Sequence, residues 1–401
     1  MARELDFPVF DVDNHLYETQ DAFTRHLPDE YAGLVKYVQV GKRTKIALKN
    51  KISEYIPNPT FNVVAPPGAH ELQYKLDNPS SKTKPGDRPL EAPAKYIESP
   101  AAYFEPGARV KLLDELGISR AMMWPTLVSV LEERLADDPI ATHVVIHAFN
   151  QWMHDQWSFD HEGRIYATPV ITLPIVDRAI EELQWVLDRG AKAILIRPAP
   201  VPDFNGRRRS FALPEFDPFW EAVNEADILV GMHSSDSGFQ RYLNEWEGWS
   251  DEFEPFKGDR STFAAIVGHE RTISDVVGSV IGHGLAARFP NLRIVPVENG
   301  SAWVRPLVER LERLYERSPG LFDEDPIVAF KRCFWVHPFH EEDPLGLIDL
   351  IGVDNVVFGS DYPHPEGMYD PITFVDDLEG LSSDDQAKVM GGNLARILKV
   401  A

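Results

Sequence analysis

The chain is poor in cysteine: Cys333 stands alone in 401 residues. An intrachain disulfide and a cysteine-rich zinc site are both excluded, and a reducing cytoplasm is the expected setting. Basic residues are scarce too, 40 against 63 acidic ones, for a net charge of −23. A chain without a basic surplus is not expected to bind nucleic acid or an anionic membrane surface. No apolar run reaches the roughly 18 residues of a membrane-spanning helix. The opening Met1-Ala2-Arg3-Glu4 has no apolar signal core. No GxGxxG follows the first apolar strand, no Walker-type loop is present, and there is no internal sequence repeat. With hydrophobic residues at 43%, a sizeable core is still expected. Any metal in this chain must be held by histidine, aspartate or glutamate.

What the chain does have is a rhythm. Residues 7–12 form an apolar strand. From residue 108 short apolar strands alternate with amphipathic helices. Strands are expected at 121–124, 166–171, 193–196, 228–233, 293–298, 334–336 and 355–359. Helices are expected at 108–116, 138–159, 176–189, 215–226, 271–289, 303–317, 345–352 and 384–399. Short apolar strands joined by helices make a parallel sheet covered on both faces, and eight such units point to a (β/α)8, TIM-like barrel. The chain reads as one barrel domain over 1–401. Residues 29–107 interrupt it after strand one, as an inserted arm or lid with little regular structure beyond one hairpin at 36–48.

In such a barrel the functional groups stand where strands end. Strand one ends in Asp13 and His15, strand four in Arg197, strand five in His233, strand six in Glu298, and strand eight in Asp361, followed by His364. Each has a bland alternative. A strand-end histidine can be structural, Asp13 or Asp361 can cap the next turn, and Arg197 can pair with Glu298. Their convergence at one mouth argues instead for a metal site of carboxylate and imidazole ligands, suited to zinc, manganese or iron. Arg197 suits a substrate carboxylate through its guanidinium fork, and Arg207-Arg208-Arg209 in the following loop can supply that charge or simply face solvent. Phe239, Tyr242, Trp246, Trp249, Phe253 and Phe256, in the loop 234–270, can wall an aromatic pocket or a subunit interface.

Several stretches carry a family resemblance: Asp11-Val12-Asp13-Asn14-His15, Lys192-Ala193-Ile194-Leu195-Ile196-Arg197-Pro198, Arg288-Phe289-Pro290-Asn291-Leu292-Arg293, Glu298-Asn299-Gly300-Ser301-Ala302-Trp303 and Gly359-Ser360-Asp361-Tyr362-Pro363-His364. Over roughly 7–30 and 108–400 the chain resembles the amidohydrolase superfamily. Within it, the similarity is to the group holding aminocarboxymuconate-semialdehyde decarboxylase and the resorcylate and carboxyvanillate decarboxylases. The resemblance implies a distorted barrel with one divalent metal, zinc first and manganese or iron as alternatives. It also implies Asp13, His15, His233 and Asp361 as ligands. The family's first motif is His-x-His or Glu-x-His, where this chain has Asp13-x-His15. A histidine follows strand six in the semialdehyde decarboxylase, and Glu298 stands there instead, as general base, substrate contact or structural partner.

His233, Glu298 and Asp361 are thus the candidate catalytic groups, and Arg197, His364 and Trp303 the candidate substrate contacts. The expected activity is decarboxylation of a small aromatic or unsaturated carboxylic acid. The alternatives are hydrolysis of an amide, ester or lactone, or a silent barrel that only binds. A homodimer is expected from the family and the aromatic loop.

Overall fold

The computed structural model describes residues 5–53, 58–77, 92–128, 131–248, 262–268 and 270–400. Strand one, Phe10–Leu16, is buried along its whole length. It pairs in parallel with Arg120–Pro125, which pairs in parallel with Ile165–Ala167. The series continues through a parallel bridge between Val170 and Leu195. The strand Ala193–Leu195 then pairs with Leu229–His233, and that strand with Arg293–Val297. Parallel bridges join Ile294 to Phe334 and Val336 to Val356. The last link returns to the start. Val12 N–H donates to Phe358 O at 2.9 Å, His15 N–H to Tyr362 O at 2.7 Å, and Asn14 bridges Tyr362 in parallel. This is a TIM-barrel-like fold, with all of these strand ends facing the same way.

Helices cover the strands by the usual arithmetic of amphipathic packing. In Val304–Arg317 the buried residues are Val304, Leu307, Val308 and Leu311, on one stripe at spacings of three and four. Asp138 and Asp325 cap the helices that follow them by accepting backbone N–H groups. The helix expected over 271–289 is broken into Glu270–Gly282 and Leu285–Arg288, because His283-Gly284 interrupts it, Gly284 sitting at φ +71°. A helix not anticipated, Pro326–Cys333, buries Cys333 and precedes the seventh barrel stretch. Among the described residues no helix is long and apolar enough to cross a membrane.

The stretch 29–107 is more ordered than its sequence suggests. Val35–Val40, Arg43–Leu48 and Lys51–Ser53 form a three-stranded antiparallel sheet, so the expected hairpin has a third strand. Val63–Val64 pairs with Ile97–Glu98, and Ala69–Asp77 is a helix. Pro59, Pro66, Pro67, Pro93 and Pro100 stand outside these strands and this helix. The polar run over 78–87 lies outside the described residues. The segment docks on the loop after strand eight: Gly68 N–H donates to His364 O at 3.0 Å and His70 N–H to Pro365 O at 2.9 Å.

Candidate metal centre

Two corners of backbone aim carboxylates into the barrel mouth. Glu298 and Asp361 both adopt left-handed backbone, at φ +53° and +54°. This region is disfavoured for side chains with a Cβ and is typically kept where function requires it. Strand one supplies Asp13 and His15, two apart and therefore both on the face that turns inward. His233 closes strand five.

These side chains meet. His15 Nε2 lies 3.1 Å from His233 Nε2, 3.4 Å from Asp13 Oδ1 and 3.4 Å from Asp361 Oδ1. His233 Nε2 is 3.4 Å from Asp13 Oδ1 and 3.1 Å from Glu298 Oε2. Ligand atoms of Asp13, His15, His233 and Glu298 fall within 4.8 Å of one another, as do those of His15, Glu298, Asp361 and His364. His364 Nδ1 bonds Asp361 Oδ1 at 2.7 Å, and its ring stacks on His15 at 4.0 Å.

Three observations fit a divalent cation at the centre of this cluster. Both carboxylate oxygens of Asp13 are buried and meet only imidazole nitrogens, of His15, His233 and His337, at the long distances of 3.4–3.5 Å, a loose arrangement that a cation would complete. The His233 Nδ1 lies 2.9 Å from Ser234 O. That contact requires the proton on Nδ1 and leaves the Nε2 lone pair facing the cluster. Donors held about 2.0–2.2 Å from a zinc ion stand about 3.4 Å apart in a tetrahedron, the spacing seen here.

The electrostatics point the same way. Burial, then the neighbouring charges of Glu298 and Asp13, drive the Asp361 carboxyl well above its ordinary range. Burial, opposed by His233 and reinforced by Asp13, pushes Glu298 up to about 7. Burial alone would raise Asp13, but hydrogen bonds and charge from His15 and His233 hold it far below the usual carboxylate range. Three carboxylates crowded together in a buried space repel one another, and a divalent cation relieves that repulsion.

The supporting shell was only partly visible in the sequence. Asp11 is buried and accepts hydrogen bonds from Ser360 Oγ at 2.5 Å, Ser360 N–H at 3.0 Å, Asp13 N–H at 3.0 Å and Asn14 Nδ2 at 2.8 Å. It ties strand one to the corner that carries Asp361. His337, at the end of the weak seventh stretch, is buried with Nδ1 3.5 Å from Asp13 Oδ2, and it accepts the Glu298 N–H at 3.3 Å. The signal for it was an apolar triplet, Phe334-Trp335-Val336, ending in a histidine. Tyr17 stacks on Phe61 of the inserted segment at 4.3 Å, and faces His364 at 6.0 Å.

Two expected substrate contacts stand elsewhere. Trp303 turns into the core, where its indole donates to Gly300 O at 2.8 Å and its ring faces Phe330. It begins a helix whose apolar stripe draws it inward. Arg197 is not paired with Glu298. Its Nη1 bonds Glu133 at 2.8 Å and Asp236 O at 3.2 Å, and the residue is 7% exposed. The short helix Leu131–Arg134 that carries Glu133 had no separate place in the sequence reading. Arg208 and Arg209 are engaged by Glu133 and Glu215, whereas Arg207 faces solvent. Of the aromatic loop, Phe239 stacks on Tyr242 at 5.5 Å and Trp246 is exposed. Trp249, Phe253 and Phe256 lie outside the described residues.

Comparison with known proteins places this geometry. The family model described as amidohydrolase matches residues 62–400. The crystal structure of an amidohydrolase from Mycobacterium avium subsp. paratuberculosis is 36% identical, with a TM-score of 0.87, over 98% of this chain and 100% of that one. The 2-amino-3-carboxymuconate-6-semialdehyde decarboxylase of Dictyostelium discoideum is 28% identical over 235 residues, 57% of this chain; the match spans 59% of that relative's length. A dihydroxybenzoic acid decarboxylase from Polaromonas, crystallised with manganese, shares 15% identity and a TM-score of 0.58, over 98% of this chain and 97% of that one. At that identity the likeness bears on the fold alone. The breadth of the family match, together with a mouth built of buried carboxylates and imidazoles, shows that the chain belongs to the amidohydrolase family, whose members are metal-dependent lyases or hydrolases.

Proposed function

We propose that the chain is a carboxy-lyase of distorted (β/α)8 form that removes CO2 from a small aromatic or unsaturated carboxylic acid. The observation that carries the metal dependence is the fully buried Asp13 carboxylate, which the His15 and His233 Nε2 atoms approach only to 3.4 Å. Resemblance to the semialdehyde decarboxylase supports decarboxylation as the reaction. Asp13, His15, His233 and Asp361 would hold the ion, zinc or manganese. When bound, that ion supplies Lewis acidity toward substrate oxygens.

The chain's own groups do the rest. Asp361 would take up and return the proton of the reaction, and His364, bonded to its Oδ1 at 2.7 Å, fixes the carboxyl's orientation. Glu298 closes the opposite side of the cluster. The inserted segment reaches the site through Phe61, which stacks on Tyr17 at 4.3 Å, while Tyr17 faces His364 at 6.0 Å; this contact supports reading the segment as an arm or lid over the site.

A second reading, hydrolysis of an ester, amide or lactone, draws on Glu298. A carboxyl pushed up to about 7 beside the cluster suits a general base near neutral pH.

The test is to incubate purified protein, with its metal content measured, against aromatic and unsaturated acids and against esters and lactones, following CO2 release and hydrolysis together. CO2 release that disappears in Asp13→Asn along with the metal supports the lyase. Hydrolysis without CO2 release would replace it with the second reading.

A further inference from the structure

A cavity of about 240 Å³ opens between the loops after strands four and five and the helix Glu270–Gly282. None of the clustered metal-centre side chains lines it. Its wall is apolar on one side, from Phe211, Phe239 and Val276, and carries hydroxyls on the other, from Ser237 and Thr272, with Arg241 among the lining side chains. We propose that this cavity binds a small organic carboxylate, gripped by Arg241 with its apolar body against Phe211, Phe239 and Val276.

The charge arrangement carries the argument. Arg197, Arg208 and Arg241 converge on one carboxylate, Glu133. Glu132 and Asp236 also feel the Arg197 charge, but among the described residues no carboxylate other than Glu133 forms an ion pair with these three arginines. Nearby acids are engaged elsewhere: Glu132 with the Thr172 hydroxyl at 2.6 Å, Asp236 with Arg134 at 3.7 Å, and Asp275 at the cavity wall with Arg271 at 3.6 Å. Burial, opposed by Glu133 and reinforced by the charges of Arg241 and Arg197, holds the Arg208 guanidinium below its ordinary range. A chain of net charge −23 that concentrates positive charge at one point beside a cavity is built to meet an anion there.

Arg241 is the group free to do so. Arg197 has a 6% exposed side chain and Arg208 binds Glu133 with both terminal nitrogens, whereas the Arg241 side chain is 42% exposed and meets Glu133 through Nη1 alone. Gly238, at φ +75°, makes room for it, because a Cβ at that position would strike the guanidinium. Its remaining Nε/Nη2 edge matches a carboxylate fork. Aromatic and aliphatic walls require an organic body on that carboxylate, which inorganic phosphate lacks. This inference stands apart from the reaction proposed above, since it concerns a second set of residues.

The test uses para-fluorobenzoate as probe, titrated by fluorine NMR into the full chain carrying Asp13→Asn, so that binding at the metal centre is removed. Saturable binding is expected there, weakened about tenfold or more by adding Arg241→Met. It should also be weakened by Thr272→Trp, which fills the cavity from its edge while leaving the charge cluster intact. Inorganic phosphate is expected not to compete. Absence of binding in the Asp13→Asn background, binding indifferent to both added changes, or displacement by phosphate would each overturn the proposal.

Discussion

Replacing Arg109 with methionine should lower stability by about 3–5 kcal/mol, the range for removing one member of a buried charged network. Arg109 is fully buried. It donates from Nε to Ala102 O at 2.7 Å, from Nη1 to Asn14 Oδ1 at 2.6 Å and from Nη2 to His15 O at 2.7 Å. Its guanidinium also lies 5.5 Å from the Tyr103 ring and 5.8 Å from the Tyr362 ring. Methionine fills similar space but leaves three buried oxygens without their donor. Each bond to a charged donor contributes about 1.5–3 kcal/mol, and relief of guanidinium desolvation offsets part of their sum. At about 2 °C per kcal/mol for a chain of this size, the melting temperature should fall by roughly 6–10 °C. Scanning calorimetry measures this directly. Arg109→Lys keeps the charge without the fork and should fall between. The Asn14 amide joins Arg109 to the Asp11 carboxylate, so metal retained against a chelator should drop in the same order. A methionine variant melting within a degree or two of wild type would refute the view that this network holds strand one in place.

Other outcomes follow from the same geometry. Gly359→Ala should weaken metal retention about 10–100-fold, because a Cβ there would lie 2.7 Å from Asp13 Cβ and 2.7 Å from His337 Nε2; chelator competition reads it. On the hydrolytic reading, Glu298→Gln keeps the shape of the side chain and should retain the metal while turnover falls at least about 100-fold, whereas a rate that holds would favour the lyase. The His147–Glu182 hydrogen bond at 2.6 Å raises the His147 pKa above its ordinary 6.5. A raised pKa stabilises the fold below 6.5 and stops contributing once pH passes the folded-state value. His147→Ala should therefore melt below wild type in acid, with the gap narrowing as pH rises.

The strand ends were legible because apolar runs stop abruptly at polar residues. Asp13, His15, His233 and Asp361 needed no knowledge of the rest of the fold to be noticed. Glu133 was not legible as the partner of Arg197, since it lies 64 residues away on a one-turn helix. Trp303 was misread because an aromatic beside a functional glutamate looks the same in sequence whether it faces a ligand or the core. Asp11 was visible as part of the stretch Asp11 to His15, and only the approach of Ser360, 349 residues later, gives it its place. The order within 29–107 was hidden for a different reason: its strands are short, and Gly68 and His70 bond the distant loop after strand eight.

The pairing of Val12 with Phe358 and of Asn14 with Tyr362 closes the ring, and it also sets a timetable. Asp13 and His15 leave the ribosome early, but Asp361 is separated from them by nearly the whole length of synthesis. A chain holding strands one to seven carries three of the four proposed ligands, Asp13, His15 and His233, and an open sheet edge. With the proposed ligands, the ion would be gripped in full only once the eighth strand has paired with the first, so metal capture would report closure of the ring.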